Sequence, residues 1–521
     1  MRKKWLFAVG LSLPIILLYA AHFFYKDAQH KPSGLIQWEN ALYLISAKEY
    51  VSGNATILYQ YALDDNQLSP KIFFQPQTFV LGYLWKWLPI DPGLLLSIFG
   101  LIFTICTCRI AVEIIDIVVA EINHKKTIAI LFCWGGGLLT IAGLVLHFFY
   151  FKTGTIAAHL FFLDPGNGWW CLNFGRSFIY PLEAYYHFLF LATVLLALKK
   201  KFLWMSVIIM LLSISHPYTS VEILLIIITW ALLEYFYIRS TLLRKKDLYY
   251  IAAAAVFHIA YYGLLQQFEV STIISRQVAL DWSYKAWHFI PAYAIVWLFS
   301  FLAVKNIPLL KKQFANPVNR LFFCWGMVAF ALSVHGFAIK PVQPLHFTRG
   351  YVYAGFFLFA IPAIIHCLNL VKARTNRLYK PLYVLLLFVF LLDNISWFAS
   401  NIAYNNTGIQ FTTQEQQLIA YFKNNPANGW IISSEGNAQM ATYLQLYSTG
   451  KAWIPHPFLT FNMKSKKAAV FNFELKQQVD EQWRKKPSYF FFDKTDTTFR
   501  PSTVQWETAF ENEQFKVFKI N

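Results

Sequence analysis

The chain has 521 residues, 57% of them hydrophobic, 19% aromatic and only 14% charged, with a mean hydropathy of +0.42. Soluble domains carry about 25% charged residues, so composition excludes a soluble globular protein and points to helices that cross a bilayer. A net charge of +18 would suggest a nucleic-acid partner in a soluble chain, but its distribution, described below, excludes that.

Apolar runs predict spans over approximately 5–24, 93–115, 128–150, 182–198, 202–215, 219–238, 248–265, 289–304, 321–338, 350–370 and 381–398, about eleven in all. The runs are continuously apolar rather than alternating, which favours helices over a barrel. Arg2-Lys3-Lys4 ahead of the first run resembles a signal peptide, yet no small-residue cleavage site precedes Lys26, so an uncleaved first helix is expected. The segment 76–90 is apolar too, but Pro89, Asp91 and Pro92 interrupt it and it is not counted as a span.

Basic clusters fall at Arg2-Lys3-Lys4, Lys125-Lys126, Lys199-Lys200-Lys201, Arg244-Lys245-Lys246, Lys311-Lys312 with Arg320, and Lys372 with Arg374 and Arg377. With these spans, each cluster lies in an alternate loop on one side, which places the N-terminus in the cytoplasm. Residues 399–521 hold thirteen Lys and Arg against ten Asp and Glu, so most of the excess charge belongs to the membrane portion and orients it. The outward side is then 25–92, 151–181, 216–218, 266–288, 339–349 and everything after 399. Of the six cysteines, Cys106, Cys108, Cys133, Cys324 and Cys367 lie in spans and read as small packing residues, while Cys171 stands in an outward loop. No Cys/His metal spacing is present.

Two domains follow: a membrane module over 1–398 with a large first outward loop at 25–92, and a C-terminal extracytoplasmic α/β domain over 399–521. Thr412-Thr413-Gln414-Glu415 reads as a capping box ahead of a helix ending near Asn424-Asn425-Pro426. Gly429–Ser434 is expected as a buried strand, followed by a helix toward Gly450 and a longer helix over roughly 463–485. Tyr489–Phe492 and Phe515–Ile520 are expected as strands.

Glu39 follows the first span and opens a helix on which Trp38, Leu42, Tyr43, Ile45 and Tyr50 form one aromatic face, as expected of a helix lying in the interface. A carboxylate there suits base chemistry in a partly desolvated setting, but by position alone it is more often a solvated acid favoured by the helix dipole. Glu183 sits at the top of a span, where an acid is costly unless paired or hydrated, so it reads either as functional or as a partner for Arg176 or a snorkelling interface acid. Asp164 reads as a turn residue. His216, between two apolar spans, is more often a satisfied structural residue than a metal ligand. Arg349 before the tenth span suits an anionic ligand or an interface anchor, and Arg276 and Asp281 are weaker candidates. Inside the spans, Arg109, Glu113 and Glu222 are the ionisable residues expected, all near span ends.

Glu39-Asn40-Ala41-Leu42-Tyr43-Leu44-Ile45-Ser46-Ala47-Lys48-Glu49 is similar to the Asp-Glu-x-x-Tyr-x-x-x-Ala-Arg-Glu signature that follows the first helix in GT-C-fold glycosyltransferases, a superfamily that includes aminoarabinose transferases and protein O-mannosyltransferases. Phe73-Phe74-Gln75-Pro76-Gln77-Thr78, with the apolar segment to Trp87, resembles the family's Phe-Glu-Lys-Pro-Pro stretch and membrane-lying helix. Gly175-Arg176-Ser177-Phe178-Ile179-Tyr180-Pro181-Leu182-Glu183 resembles its Arg-x-x-x-x-Asp segment, and Tyr443–Phe461 and Ala509–Lys519 look like outer domains of such enzymes. The resemblance implies an α-helical polytopic GT-C-like membrane glycosyltransferase of the bacterial inner membrane. It would move a sugar from a polyprenyl-phosphate donor to a lipid, glycan or protein acceptor at the outer face. It further implies Glu39 and Glu183 as catalytic carboxylates, with Arg176, Arg349, His216, Gln75 and Tyr43 toward the donor phosphate and substrate. A divalent metal ion is left open, with Glu39 as the residue that would engage it. Two departures stand out: Glu replaces the family's Asp at 39, and Phe74-Gln75 replaces Glu-Lys, removing a potential metal ligand and a phosphate-contacting cation. A transporter or flippase of lipid-linked glycan, or a non-catalytic membrane assembly protein, is the alternative.

Overall fold

In a computed structural model the chain is described over residues 2–24, 29–64, 69–151, 153–166, 168–171, 173–281, 284–374, 379–404, 406–426, 429–456, 459–476, 478–496 and 506–520. Its contacts divide it into two compact units: Met1–Tyr19 with Phe99–Leu264 and Ala279–Asn406, and Ala20–Ile98 with Leu265–Val278 and Thr407–Asn521.

Among the described residues, six helices are long and apolar enough to cross a membrane, or nine if each of three bent pairs is one span. Two shorter apolar helices, Phe202–Ser215 and Pro317–Ser333, match the remaining two expected runs. The chain is thus a multi-pass helical membrane protein. The first two bends have local causes. The first pair, Arg2–Leu11 and Leu13–Phe24, meets at 56°. Pro14 there can donate no backbone hydrogen bond and its ring crowds the preceding turn.

The second pair, Ile122–Trp134 and Leu139–Phe149, meets at 53° across Gly135-Gly136-Gly137. Backbone groups freed inside a bilayer need partners, and here they have them. The Asp393 carboxylate accepts the N–H groups of Gly137 (2.9 Å), Leu139 (3.2 Å) and Thr140 (2.8 Å). The Gly136 N–H reaches the Phe390 carbonyl at 2.7 Å, and the Asn394 and Asn173 amides donate to the Trp134 and Gly135 carbonyls at 2.5 and 2.6 Å. Gly137 lies so close to the Pro291 and Ala292 carbonyls that a Cβ would stand 2.2 Å from each.

Asp393 and Glu234 correct the sequence expectation for acids inside spans, which named Glu222 and Glu113 alone. Glu234 makes a two-pronged pair with Arg320 (2.5 and 2.8 Å), and both side chains are buried. Arg320, counted with the basic loop clusters, is therefore a buried structural cation.

In the second unit, β1 (His30–Pro32) and β2 (Gln410–Thr412) form a two-stranded antiparallel ribbon, with His30 opposite Thr412. The helices Asn40–Val51 and Pro76–Trp87 cross closely: a Cβ on Gly82 would lie 2.6 Å from the Ala47 carbonyl. Pro76–Trp87 has 12 residues, too short to cross a bilayer, as its flanking prolines predict. Helix Asn40–Val51 buries Asn40, Ala41, Leu44, Ile45, Ala47 and Tyr50 and is nowhere fully exposed. Of the expected Trp38, Leu42, Tyr43, Ile45 and Tyr50 face, Ile45 and Tyr50 are buried and the other three half-buried.

The C-terminal residues form β3 (Trp430–Ser433), β4 (Lys451–Ala452), β5 (Ser488–Asp493), β6 (Thr508–Glu511) and β7 (Phe515–Ile520), in the sheet order β4-β3-β5-β7-β6. β4, β3 and β5 are parallel; β7 and β6 complete the sheet antiparallel. Period-two alternation sends Ile432, Phe490, Phe492 and Phe518 to one face, where they meet Val470 and Phe473 of helix Met463–Lys476. Tyr489 on the other face meets Phe422 of helix Thr413–Asn424, at 5.6 Å between rings. The Thr412–Glu415 capping box is present, with Glu415 N–H to Thr412 Oγ1 at 3.2 Å and Thr412 N–H to Glu415 Oε2 at 2.7 Å. The single helix expected over 463–485 is two, Met463–Lys476 and Glu481–Arg484, because Asp480 caps the second through the Gln482 N–H (2.8 Å).

Candidate active site

The residues singled out by sequence fall in both units, and each group is taken by itself. In the first unit, Glu183 occupies the first turn of helix Pro181–Leu198, which Pro181 starts at N1. Its carboxylate is ion-paired with the Arg349 guanidinium, which also lies over the rings of Trp170 (4.7 Å) and Tyr180 (5.1 Å). Two aromatic rings and a carboxylate fix the guanidinium as a preorganised cation. Glu183 therefore pairs with Arg349 and not with Arg176.

Arg176 is 1% exposed, packed beside Phe161 (5.4 Å) and Trp397 (5.9 Å). It donates to the Cys171 carbonyl at 3.4 Å, and its Nε and Nη1 have no hydrogen-bond partner among the described residues. Such enclosure fits a structural cation better than a phosphate contact. Asp164 organises the adjoining loop by accepting the N–H groups of Gly168 (2.7 Å), Trp170 (3.1 Å) and Cys171 (2.5 Å), the turn role its setting predicts.

Sequence reasoning missed His187. It lies one turn below Glu183, so the i, i+4 spacing was the available signal. Its Nδ1 is 2.8 Å from the Glu183 carbonyl, and its Nε2 is 2.8 Å from the Arg349 carbonyl and 3.0 Å from Ser177 Oγ. Its ring stacks on Tyr351 at 4.6 Å. His187 thus ties the backbones on both sides of the Glu183–Arg349 pair. His216 caps helix Pro217–Leu232: Nδ1 accepts the Thr219 N–H at 3.3 Å, and the ring stacks on Tyr186 at 4.4 Å. That is the satisfied structural role expected of a lone histidine.

Glu222, three residues beyond Thr219 on the same helix, is fully buried, and neither carboxylate oxygen has a hydrogen-bond partner among the described residues. Buried carboxyls are normally paired, so this one is held at a cost.

In the second unit, Glu39 stands at the N-cap position of helix Asn40–Val51, half-buried, without a side-chain capping bond. Tyr43 is half-buried one turn on. Trp38 stacks on His456 at 4.8 Å. Lys48, at the position of the family's arginine, donates to the Gln445 carbonyl at 2.6 Å and to the Ser448 carbonyl. Burial lowers its pKa to about 8. Gln75 caps helix Pro76–Trp87, and its Oε1 accepts the Tyr59 hydroxyl at 3.1 Å. Phe74, in place of the family's glutamate, packs on Phe79 at 5.8 Å. Among the described residues no three His, Cys, Asp or Glu side chains are grouped to hold a metal ion. Phe74 stands where the family places a carboxylate, so that potential metal ligand is replaced by an apolar ring.

No family model and no curated protein matches the chain. Solved structures do. ArnT from Cupriavidus metallidurans bound to undecaprenyl phosphate is 10% identical, with 98% of both chains covered and a TM-score of 0.53. The same protein in the apo state is 9% identical, covering 98% of this chain and 97% of that one, at 0.52. The Archaeoglobus fulgidus oligosaccharyltransferase in complex with Zn and sulfate is 11% identical over 94% of this chain and 68% of its own, at 0.46. Over nearly its whole length, then, the chain carries the GT-C membrane fold.

Proposed function

We propose that the protein is a membrane glycosyltransferase that moves a sugar from a polyprenyl-phosphate donor to a lipid, glycan or protein acceptor at the outer face of a bacterial inner membrane. The observation that carries the reading is the preorganised Glu183–Arg349 pair on a chain-long GT-C fold. The ArnT of similar fold was solved with undecaprenyl phosphate, and the same class of lipid carrier is assigned here by that likeness.

Glu39 takes the proton of an acceptor hydroxyl, whose oxygen attacks the anomeric carbon; the bond to the donor phosphate breaks and the polyprenyl phosphate leaves with its electron pair. In the first unit Arg349, held in place by Glu183, supplies a cation suited to a phosphate group. No step is routed through a metal. Two of the acids within spans give a transporter reading nothing: Asp393 is engaged by backbone N–H groups and Glu234 by Arg320.

Sugar transfer from synthetic polyprenyl-phosphate donors, compared between wild type and Glu39→Gln, tests the assignment. Loss of about 10²-fold or more in kcat is expected for a general base. Unchanged turnover removes Glu39 from the chemistry, and no transfer with any donor favours a non-catalytic assembly protein.

A further inference from the structure

A cavity lies where β3 and β4 end. Of about 340 Å³, it is walled by Trp38, Ser433, Ser434, Gln439, Ile454 and Lys467. Ser433 is the last residue of β3, and Ile454 follows β4 by two residues. The two strands are parallel neighbours whose onward helices take opposite faces. Helix Met463–Lys476, after β4, joins the face of Ile432 and Phe490; helix Ala438–Tyr447, after β3, lies with Thr413–Asn424 on the other. In open α/β sheets, ligands bind beyond the carboxyl ends of the parallel strands, the end at which this crevice opens.

The lining says which ligand. Trp38 contributes an indole held in place by its stack on His456. Ser433 and Ser434 are buried lining residues, and Ser434 Oγ accepts from the Asn437 amide at 2.8 Å, which leaves its own hydrogen to donate. Lys467 is the charged lining residue. An aromatic platform with short hydroxyls suits the apolar face and ring hydroxyls of a sugar, and an ammonium suits an anionic substituent. The volume falls within the range of about 300–1,000 Å³ usual for small-ligand sites.

We propose that this cavity binds an anionic saccharide. Resting on the glycosyltransferase reading above, it is the acceptor's own sugar: Trp38 and the proposed base Glu39 are consecutive residues, so a saccharide stacked on the indole is presented beside that base.

Saturation-transfer NMR on the full-length protein in detergent, with methyl β-D-glucuronide and methyl β-D-glucoside as probes, tests the site. Saturation of the glucuronide ring protons is expected in wild type and in Glu39→Gln. Lys467→Gln should weaken glucuronide binding about five-fold, to the level of the glucoside, the worth of one charge-assisted hydrogen bond. Trp38→Leu should abolish binding of both. If Trp38→Leu does not fold, Gln439→Trp fills the cavity from an exposed position and should do the same. Glucuronide binding that survives both Lys467→Gln and Gln439→Trp, or no saturation in folded wild type, overturns the proposal. Saccharide binding without transfer from any donor overturns the enzyme reading and leaves the cavity; transfer without saccharide binding does the reverse.

Discussion

The buried pair of Glu183 and Arg349 sets up the sharpest test at the level of single residues. Removing one member of a buried ion pair strands the other, at a cost of about 3–5 kcal/mol. Arg349→Met should lower stability by that order, and adding Glu183→Leu should recover much of it, a coupling that a double-mutant cycle in chemical denaturation reads directly. Glu222 predicts the opposite sign. Its carboxyl has no hydrogen-bond partner among the described residues, so Glu222→Met should raise the thermal midpoint. If the acid is retained for chemistry, transfer should fall at the same time, the usual trade between stability and function. His456 adds a pH dependence. Burial holds its imidazole down at about 4 against an ordinary 6.5, and its Nδ1 accepts the Leu459 N–H at 3.1 Å, so the folded form is neutral. Below pH 6.5 the unfolded chain takes the proton first. The contribution is therefore complete above 6.5 and lost as pH falls toward 4, up to about 3 kcal/mol. Denaturation midpoints between pH 7 and 4.5 should fall less steeply for His456→Asn, whose amide oxygen can still accept.

Among the elements, the break at Gly135-Gly136-Gly137 depends on a residue some 250 positions away in sequence. Asp393→Leu would orphan three backbone N–H groups at roughly 1–3 kcal/mol each, enough to unfold or repack the span. Proteolysis at 134–139 and a collapsed thermal transition are the expected readouts. This long-range dependence also explains what could be read in advance. The eleven apolar runs, the Thr412 capping box and the strands at β3, β5 and β7 were legible because hydropathy and capping are local signals. The break was not, since three glycines in an apolar run say nothing of the carboxylate that satisfies them. β4 and β6 were missed as short strands defined by their neighbours rather than by their own pattern. Within the site, Glu183 was visible from the cost of charge near a span and Arg349 from the family resemblance, but their pairing, like the role of His187, is a property of packing.

For the molecule as a whole, the second unit is assembled from pieces far apart in the chain, and this has a consequence in time. The Ser33 N–H and hydroxyl donate to the carbonyl of Ile409, 376 residues on, and Lys48 donates to the carbonyl of Gln445, 397 residues on. Chains are synthesised at about 5–20 residues per second, so the first loop waits roughly 20–80 s for the strand and helix that complete it. During that interval the Lys48 ammonium and the β1 edge lack these partners, and the loop is the part of the nascent protein most open to proteases and chaperones. Chains arrested before residue 410 should be cleaved within 29–64, and chains released after residue 450 should be protected there.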